Sequence, residues 1–156
     1  MEIHAVLVAT DFSECSCAAF QAAKSLSRPF NAKIILLHVI NERRVWFLAE
    51  HLQMEEDKLI PELRARAEEQ LQAFIEKCSP DNLEIESMVS VGTPFQQIAV
   101  TARDLAVDLV VLGGYGKGGR AALEEVFFGS TAEKVVRLLP CPVLCVPLAR
   151  EGQEQA

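Results

Sequence analysis

Residues 107–139 have the sequence VDLVVLGGYGKGGRAALEEVFFGSTAEKVVRLL, which divides into three parts. Residues 109–112 are four consecutive apolar residues, which is typical of a short strand buried on both faces. Five glycines follow within seven residues, at positions 113, 114, 116, 118 and 119. Ser130 and Glu133 then have the spacing of a capping box, which predicts that a helix begins at Ser130. The predicted apolar face of this helix consists of Ala132, Val135, Val136 and Leu139.

A strand, a glycine-rich loop and a helix N-terminus, in this order, are typical of a phosphate-binding site. Glycine lets the backbone approach an anion closely, and N–H groups at a helix start carry partial positive charge. The hydroxyl groups of Ser130 and Thr131 would add two neutral donors. The alternative is an ordinary surface loop followed by an ordinary helix cap. Five glycines directly after a buried strand favour phosphate binding over this alternative.

Composition predicts one globular domain, residues 1–148, followed by a polar C-terminal tail, residues 149–156. Half of the 156 residues are hydrophobic, which excludes a disordered chain. The net charge of −7 argues against a nucleic-acid partner but permits a local phosphate site. No apolar run is long enough to cross a bilayer, and the N-terminus lacks the basic region of a signal peptide. We therefore expect a cytoplasmic protein without membrane contact.

The chain contains five cysteines, at positions 15, 17, 78, 141 and 145. An odd number without a CxxC pair suits a reducing compartment. Cys15 and Cys17 would point to different sides of a helix, whereas Cys141 and Cys145 would share one face of a strand. We therefore expect thiols that serve packing rather than a metal or redox site.

The rest of the chain alternates predicted strands and helices. Strands are predicted at 4–10, 32–40, 83–91 and 142–147, helices at 14–27, 61–78 and 95–106, and a turn at 80–82, while residues 41–59 show no clear pattern. The residues predicted to face inward from the helices are Cys15, Ala19, Ala22, Leu26, Leu63, Ala67, Leu71, Phe74, Cys78, Ile98, Ala102 and Leu105. This alternation implies right-handed crossovers and an α/β fold, a mostly parallel sheet with helices on both faces.

A ligand in such a sheet lies at the carboxyl ends of the strands, where the strand order reverses. Thr10 is the last residue of the first predicted strand and Asp11 follows it, and Gly113 follows the fourth strand. The Asp11 carboxylate can accept a hydrogen bond from a ribose hydroxyl or an adenine amino group. A role as the N-cap of the following helix would explain an aspartate at this position equally well. The backbone of Val39 can form hydrogen bonds with the edge of an adenine ring. From the sequence alone, core packing is the simpler explanation of an apolar residue at this position.

The whole pattern resembles the universal stress protein family. The matching segments are VLVATDFSECS, IILLHVI, VGTP, VDLVVLGGYGKGG, FFGSTAEKVV and CPVLCVP, which occur in the family's order and cover nearly the whole chain. The resemblance implies a single-domain, three-layer sandwich of the Rossmann-like, adenine nucleotide alpha hydrolase-like type. Its five-stranded parallel sheet would have the order 3-2-1-4-5.

Members of this family that bind ATP carry Gly-x2-Gly-x9-Gly-[Ser/Thr], and two alignments of the motif are open. Gly116, Gly119 and Gly129, followed by Ser130, fit the spacing. If Gly113 and Gly116 form the first pair instead, the loop is three residues longer than the motif.

The resemblance implies ATP as the cofactor, with ADP or AMP as alternatives and Mg²⁺ held through the phosphates. Asp11 and the Val39 backbone would contact adenosine, and the glycine loop with Ser130 and Thr131 would hold the phosphates. The expected ligand residues are Thr10, Asp11, Val39, Gly113, Gly116, Gly119, Gly129, Ser130 and Thr131. We expect a stress-response or signalling module that is at most a slow ATPase, because no set of nucleophile, base and orienting residue is visible.

Two other functions remain open from the sequence. The first is a dimeric interaction protein of the same fold that binds no nucleotide. The second is an enzyme on a related adenine-nucleotide fold, which would need a His-x-x-His-type motif or a longer chain, and neither is present.

The last strand predicts a homodimer. Residues 143–146 carry no charge and would form a sheet edge, where unpaired backbone groups favour pairing with a second copy. The alternative is that a loop or the tail from Arg150 covers this edge.

Overall fold

Strands and helices alternate along the described parts of the chain, except that two helices lie between the second and third strands. The computed structural model describes residues 1–78, 84–114, 130–138 and 141–148. In chain order the elements are β1 (Ala5–Ala9), α1 (Glu14–Ser27), β2 (Lys33–Asn41), α2 (Glu42–Leu52), α3 (Glu56–Cys78), β3 (Ile85–Gly92), α4 (Pro94–Asp104), β4 (Leu109–Gly113), α5 (Ser130–Leu138) and β5 (Val143–Val146). A single 3-10 turn, Arg28–Phe30, follows α1 and contains Pro29.

The five strands form one sheet in the order β3-β2-β1-β4-β5, and all neighbouring strands are parallel. This confirms the predicted fold class and strand order. The chain leaves β1 toward β2 on one side, and β4 pairs with β1 on the other. The carboxyl ends of β1 and β4 therefore border the point where the strand order reverses, which is where such sheets bind ligands.

Among the described residues, two helices cover each face of the sheet. Alternate side chains of β1 point to opposite faces, so Val6 and Val8 pack under α1 and α3, whereas Leu7 packs under α4 and α5. All three side chains are fully buried. A third apolar cluster joins α2 and α3 at the carboxyl end of β2, around Ile40 and Val45. These layers hold the ends of the central strands in fixed positions.

Helix α1 has the predicted bounds, but its inward face is rotated. Its buried residues are Cys15, Ser16, Ala19, Phe20, Ala23, Lys24 and Ser27. Ala22 is only partly buried and Leu26 is 38% exposed, so these two expectations were wrong. Phe20 fills the space between α1 and the sheet, and its size sets which stripe of the helix faces the core.

The stretch without a clear pattern forms α2 and the first turns of α3. Asn41 caps α2, because its Oδ1 accepts a hydrogen bond from the Arg43 N–H at 3.0 Å. Helix α3 begins at Glu56, so the start predicted at Pro61 was wrong. Proline removes one main-chain donor, but Leu59 is buried in the turn before it, and this burial stabilises the extra helix.

Two other predicted inward residues are exposed. Leu105 follows the last residue of α4 and is 41% exposed, and Val136 on α5 is 51% exposed beside the fully buried Val135. The predicted turn at 80–82, Leu139 and the side chain of Ala132 lie outside the described part of the chain. The Ser130 side chain, one half of the predicted capping box, also lies outside the described part. The other half, Glu133, accepts a hydrogen bond from Arg137 at 3.1 Å.

Candidate functional site

The loop after β1 is held by its own side chains. Asp11 Oδ1 accepts a hydrogen bond from the Ser13 N–H at 3.0 Å, and Thr10 Oγ1 accepts one from the Phe12 N–H at 3.0 Å. The N-cap of α1 is Ser13, whose side chain accepts from the Ser16 N–H. The explanation of Asp11 as an N-cap was therefore wrong. Its carboxylate instead stands at the carboxyl end of β1, in a tight turn just before the helix.

The side chains of His38 and Phe74 support this loop through contacts with Thr10 and Phe12. Nδ1 of His38 lies 2.8 Å from the carbonyl oxygen of Thr10, which requires the tautomer protonated at Nδ1 because a carbonyl only accepts. The ring of Phe12 lies 4.3 Å from the His38 ring and 6.0 Å from that of Phe74 on α3. Phe12 has a φ of 67°, which is rare for a bulky residue and persists only where neighbours hold it. An aromatic residue inside a polar loop was the sequence feature that could have indicated this support.

Gly113 lies at the carboxyl end of β4, against the first turn of α1. A Cβ atom at this position would lie 2.9 Å from the backbone carbon of Cys15 and 3.0 Å from its Sγ. At Gly114 the nearest atom to such a Cβ is 3.7 Å away, which is an ordinary contact. The absence of a side chain at Gly113 therefore lets α1 approach β4, whether or not a ligand is bound.

The three free cysteines serve packing, as predicted. Cys15 Sγ donates to the carbonyl oxygen of Val146 at 3.2 Å and is buried between α1 and the strand ends. Cys141 and Cys145 pack into the same apolar cluster, which confirms their shared face. Burial raises the pKa of the Cys141 and Cys145 thiols, so both remain protonated at neutral pH.

The other two cysteines overturn the expectation that all five are unpaired. Cys17 on α1 and Cys78 at the end of α3 form a disulfide across 61 residues of sequence. Cys15 and Cys17 do point to different sides of α1, toward β5 and toward α3. The pairing could not be predicted from spacing, because it depends on how α3 returns across the sheet.

A cavity of about 430 Å³ opens beside the carboxyl ends of β2 and β3. Its lining consists of Asn41, Glu42, Arg43, Thr93, Pro94, Phe95, Gln96, Thr131 and Lys134. The first turns of α2, α4 and α5 all contribute to it, so three helix N-termini face one space. Thr93 Oγ1 donates to Glu42 at 2.8 Å, and the Lys134 ammonium lies 4.8 Å from the centre of the Phe95 ring. The lining carries two cations, Arg43 and Lys134, against one carboxylate, Glu42, and together with the helix N-termini this balance favours an anionic ligand.

The structure describes five of the nine predicted ligand residues completely. Thr10 and Asp11 directly follow β1, and Gly113 is the last residue of β4. Val39 lies two residues before the cavity residue Asn41, and Thr131 lines the cavity. Ser130 is the first residue of α5, but its side chain is outside the described part, as are Gly116, Gly119 and Gly129. Four of these five residues lie at or near the carboxyl ends of β1, β2 and β4, whereas Thr131 on α5 is the one that lines the cavity. The cavity also contains Arg43, Phe95 and Lys134, which the sequence did not indicate.

A parallel sheet in this order, with a polar cavity at the carboxyl ends of its strands, defines a Rossmann-like α/β protein. Within this class the chain belongs to the universal stress protein family, because the family model matches residues 2–147.

Sequence relatives span nearly the same length. Universal stress protein MJ0577 of Methanocaldococcus jannaschii is 28% identical over 153 residues, covering 90% of this chain and 93% of the relative. Universal stress protein YxiE of Bacillus subtilis is 31% identical over 149 residues, covering 90% and 97%. A solved structure of MJ0577 has a TM-score of 0.80 at 28% identity, covering 97% of this chain and 100% of that one.

Two similar structures contain an adenine nucleotide. A universal stress protein in complex with cAMP has a TM-score of 0.66 at 22% identity, covering 94% of this chain and 98% of that one. The universal stress protein of Archaeoglobus fulgidus in complex with dAMP has a TM-score of 0.64 at 19% identity, covering 94% and 99%. At these identities the similarity shows a shared fold, and the ligands belong to those two proteins.

Proposed function

We propose that this protein binds an adenine nucleotide, ATP or its products ADP and AMP, at the carboxyl edge of the sheet. The observation that carries the proposal is the cavity where three helix N-termini meet beside Asn41 and Thr131. The cAMP and dAMP complexes of related folds support the ligand class. The glycine pattern of residues 113–129 supports phosphate as part of the ligand.

Most of the expected ligand residues have a proposed role toward one part of the nucleotide. Asp11 and the Val39 backbone contact the adenosine part, and Thr10 fixes the turn that carries Asp11 through its hydrogen bond to Phe12. Ser130 and Thr131 at the start of α5 hold phosphates together with Gly116, Gly119 and Gly129. Mg²⁺ is held mainly through phosphate oxygens. Gly113 contributes by packing, since its Cβ position is occupied by α1.

Calorimetric titration with ATP, ADP and AMP tests this proposal. Thr131→Val keeps the side-chain shape and removes one hydroxyl donor, so we expect several-fold weaker ATP binding from one lost hydrogen bond. Asp104→Asn, at the exposed end of α4, is the matched control and should leave affinity unchanged. Gly129→Val should reduce affinity more, because a side chain would block the backbone's approach to phosphate.

The alternative function is an interaction protein of the same fold that binds no nucleotide. Acid release and mass spectrometry of protein purified without added nucleotide separates the two. Absence of bound nucleotide, together with no heat of binding for millimolar ATP in a folded protein, would contradict the nucleotide proposal. Unchanged ATP affinity in folded Gly129→Val would place the phosphates elsewhere.

We also propose a cytoplasmic homodimer that acts in stress response or signalling and is at most a slow ATPase. Within the described residues, no helix is both long and apolar enough to cross a membrane. Strand β5 pairs with β4 on one side, and Leu144 is partly exposed on the outermost strand. Two copies would pair through Val143–Val146, with residues 1–148 as the domain and 149–156 as a dispensable tail.

Sedimentation at micromolar concentration tests the dimer. The wild-type chain and a variant lacking residues 149–156 should both sediment as dimers. Leu144→Lys should shift the protein to monomer, because a charge would be buried at the paired edge. A monomeric wild type would contradict the edge-pairing model.

A further inference from the structure

Cys17 and Cys78 are distant in sequence and adjacent in the fold. Cys17 lies early in α1, and Cys78 is the last residue of α3. Their Cα atoms are 6.0 Å apart, within the range of about 4.4 to 6.8 Å that a disulfide spans without backbone movement. The bond joins the two helices that cover the same face of the sheet.

Other contacts hold these two helices together independently of the sulfur atoms. The side-chain amide of Gln21 on α1 donates to the backbone carbonyl oxygen of Cys78. Phe74, one turn before Cys78, stacks on Phe20 of α1 at 5.9 Å between ring centres. Because these contacts do not require the disulfide, the reduced thiols should stay close enough to pair again.

Access differs among the five cysteines. Cys17 is half-buried, so a small reagent can reach it, whereas Cys78 and Cys15 are buried. Cys141 and Cys145 are also half-buried, but both are free thiols in the structure, whereas Cys17 lies within disulfide distance of Cys78. Cys17 is therefore the favoured point of attack, and Cys78 is positioned to displace whatever group becomes attached to it.

We infer that Cys17 and Cys78 are a reversible thiol-modification site that low-molecular-weight disulfides oxidise. The Cys17 thiolate attacks one sulfur of the reagent, whose S–S bond breaks and whose other half leaves as a thiol after taking up a proton. The Cys78 thiolate then attacks the Cys17 sulfur and releases the second half as a thiol. The protein loses two hydrogens and gains one S–S bond, and the reagent disulfide is reduced to two thiols.

Oxidation would fix the end of α3 against α1. Phe74 of α3 also contacts Phe12, which lies next to Asp11 in the loop after β1. The bond therefore clamps the element that supports this loop. This inference does not depend on which ligand the loop binds.

The test starts from fully reduced protein equilibrated with oxidised glutathione. Of five titratable thiols, two should disappear, and peptide mapping should link the peptides that contain Cys17 and Cys78. Closing a loop of 61 residues should raise the melting temperature by roughly 10 °C, and dithiothreitol should reverse the change.

Three variants make the result decisive. Cys17→Ser and Cys78→Ser should lose the rise in melting temperature, whereas Cys141→Ser should keep it. Each variant is first compared with the wild type under reducing conditions, where similar melting temperatures show that the fold is intact. Five remaining thiols after oxidation of folded protein would overturn the inference. So would a link between other cysteines, or a glutathione adduct that persists on Cys17.

Discussion

Gly113→Ala should destabilise the fold although it adds only one methyl group. The new Cβ would lie 2.9 Å from the backbone carbon and 3.0 Å from the backbone oxygen of Cys15. Favourable carbon contacts need about 3.5 to 4.0 Å, so the strand end and the helix must separate by roughly half an ångström or more. Both clashing atoms belong to the backbone and cannot rotate away, and α1 is packed on the sheet along its whole length.

The magnitude is the balance of two terms. Overpacking of this kind costs about 1–3 kcal/mol, and replacing glycine lowers the entropy of the unfolded chain, which contributes about 0.4–1 kcal/mol of stability. We therefore expect a net loss of about 1–2 kcal/mol in the free energy of unfolding. Gly114→Ala is the matched control, because its Cβ would meet nothing closer than 3.7 Å and Gly114 does not have a positive φ. That variant should be neutral or slightly more stable.

Urea denaturation followed by circular dichroism measures the difference. With a slope of about 2 kcal/mol per molar urea, Gly113→Ala should lower the midpoint by roughly 0.5–1 M at an unchanged slope. Gly114→Ala should leave the midpoint within about 0.3 M of the wild type or raise it slightly. Equal midpoints for the two variants would refute the argument that Gly113 is required by the approach of α1.

Three other changes test separate parts of the structure. Hydrogen bonds from the His4 and Ala5 N–H groups, at 2.7 and 3.0 Å, lower the pKa of the Asp108 carboxyl. A lowered pKa stabilises the fold above the unfolded value of about 4, and this stability is lost as pH falls through the folded value. Asp108→Asn should therefore be less stable than the wild type at pH 7, with the difference shrinking below about pH 4, and a pH-independent difference would contradict this cause. Ser13→Ala should lower the free energy of unfolding, measured by urea denaturation, by about 1 kcal/mol, because it removes the N-cap of α1. Ser25→Ala, on the exposed side of the same helix, should be nearly neutral. Equal effects of the two substitutions would contradict the capping role of Ser13. Gly119→Val should weaken ATP binding in calorimetry without moving the urea midpoint, and unchanged affinity would argue against Gly119 as a phosphate residue.

The positions of the central strands were predictable because these strands are continuous apolar runs, whereas the strand order came from the family resemblance. Val6, Leu7 and Val8 are buried whichever face they point to, so a run without alternation indicates a strand covered on both sides. The start of α1 at residue 14 was also predicted correctly from its helical pattern, although its N-cap is Ser13 and not Asp11. Both features depend on neighbours in sequence, which is why the sequence alone was sufficient.

The missed features depend on contacts between distant segments. The start of α3 depends on Leu59 being buried against α2, and this burial outweighs the local cost of Pro61. The pairing of Cys17 with Cys78 depends on where a 23-residue helix ends relative to α1. The cavity beside β2 combines residues from three helices, and Lys134 comes within reach of Phe95 only through the packing of α5 against α4. No local spacing in the sequence encodes these approaches.

The packing at Gly113 bears on the two glycine alignments that the sequence left open. Glycine at this position is explained by the approach of Cys15, so a phosphate is not needed to account for it. If Gly113 is assigned to packing, the family spacing is met by Gly116, Gly119 and Gly129, with nine residues between the last two. The backbone N–H of Gly114 donates a hydrogen bond to the Val146 carbonyl oxygen at 2.9 Å, so the chain is still bonded to β5 at this residue. In this alignment the phosphate loop would begin only after Gly114. The packing argument therefore favours a motif of ordinary length placed three residues further from β4, rather than a lengthened loop.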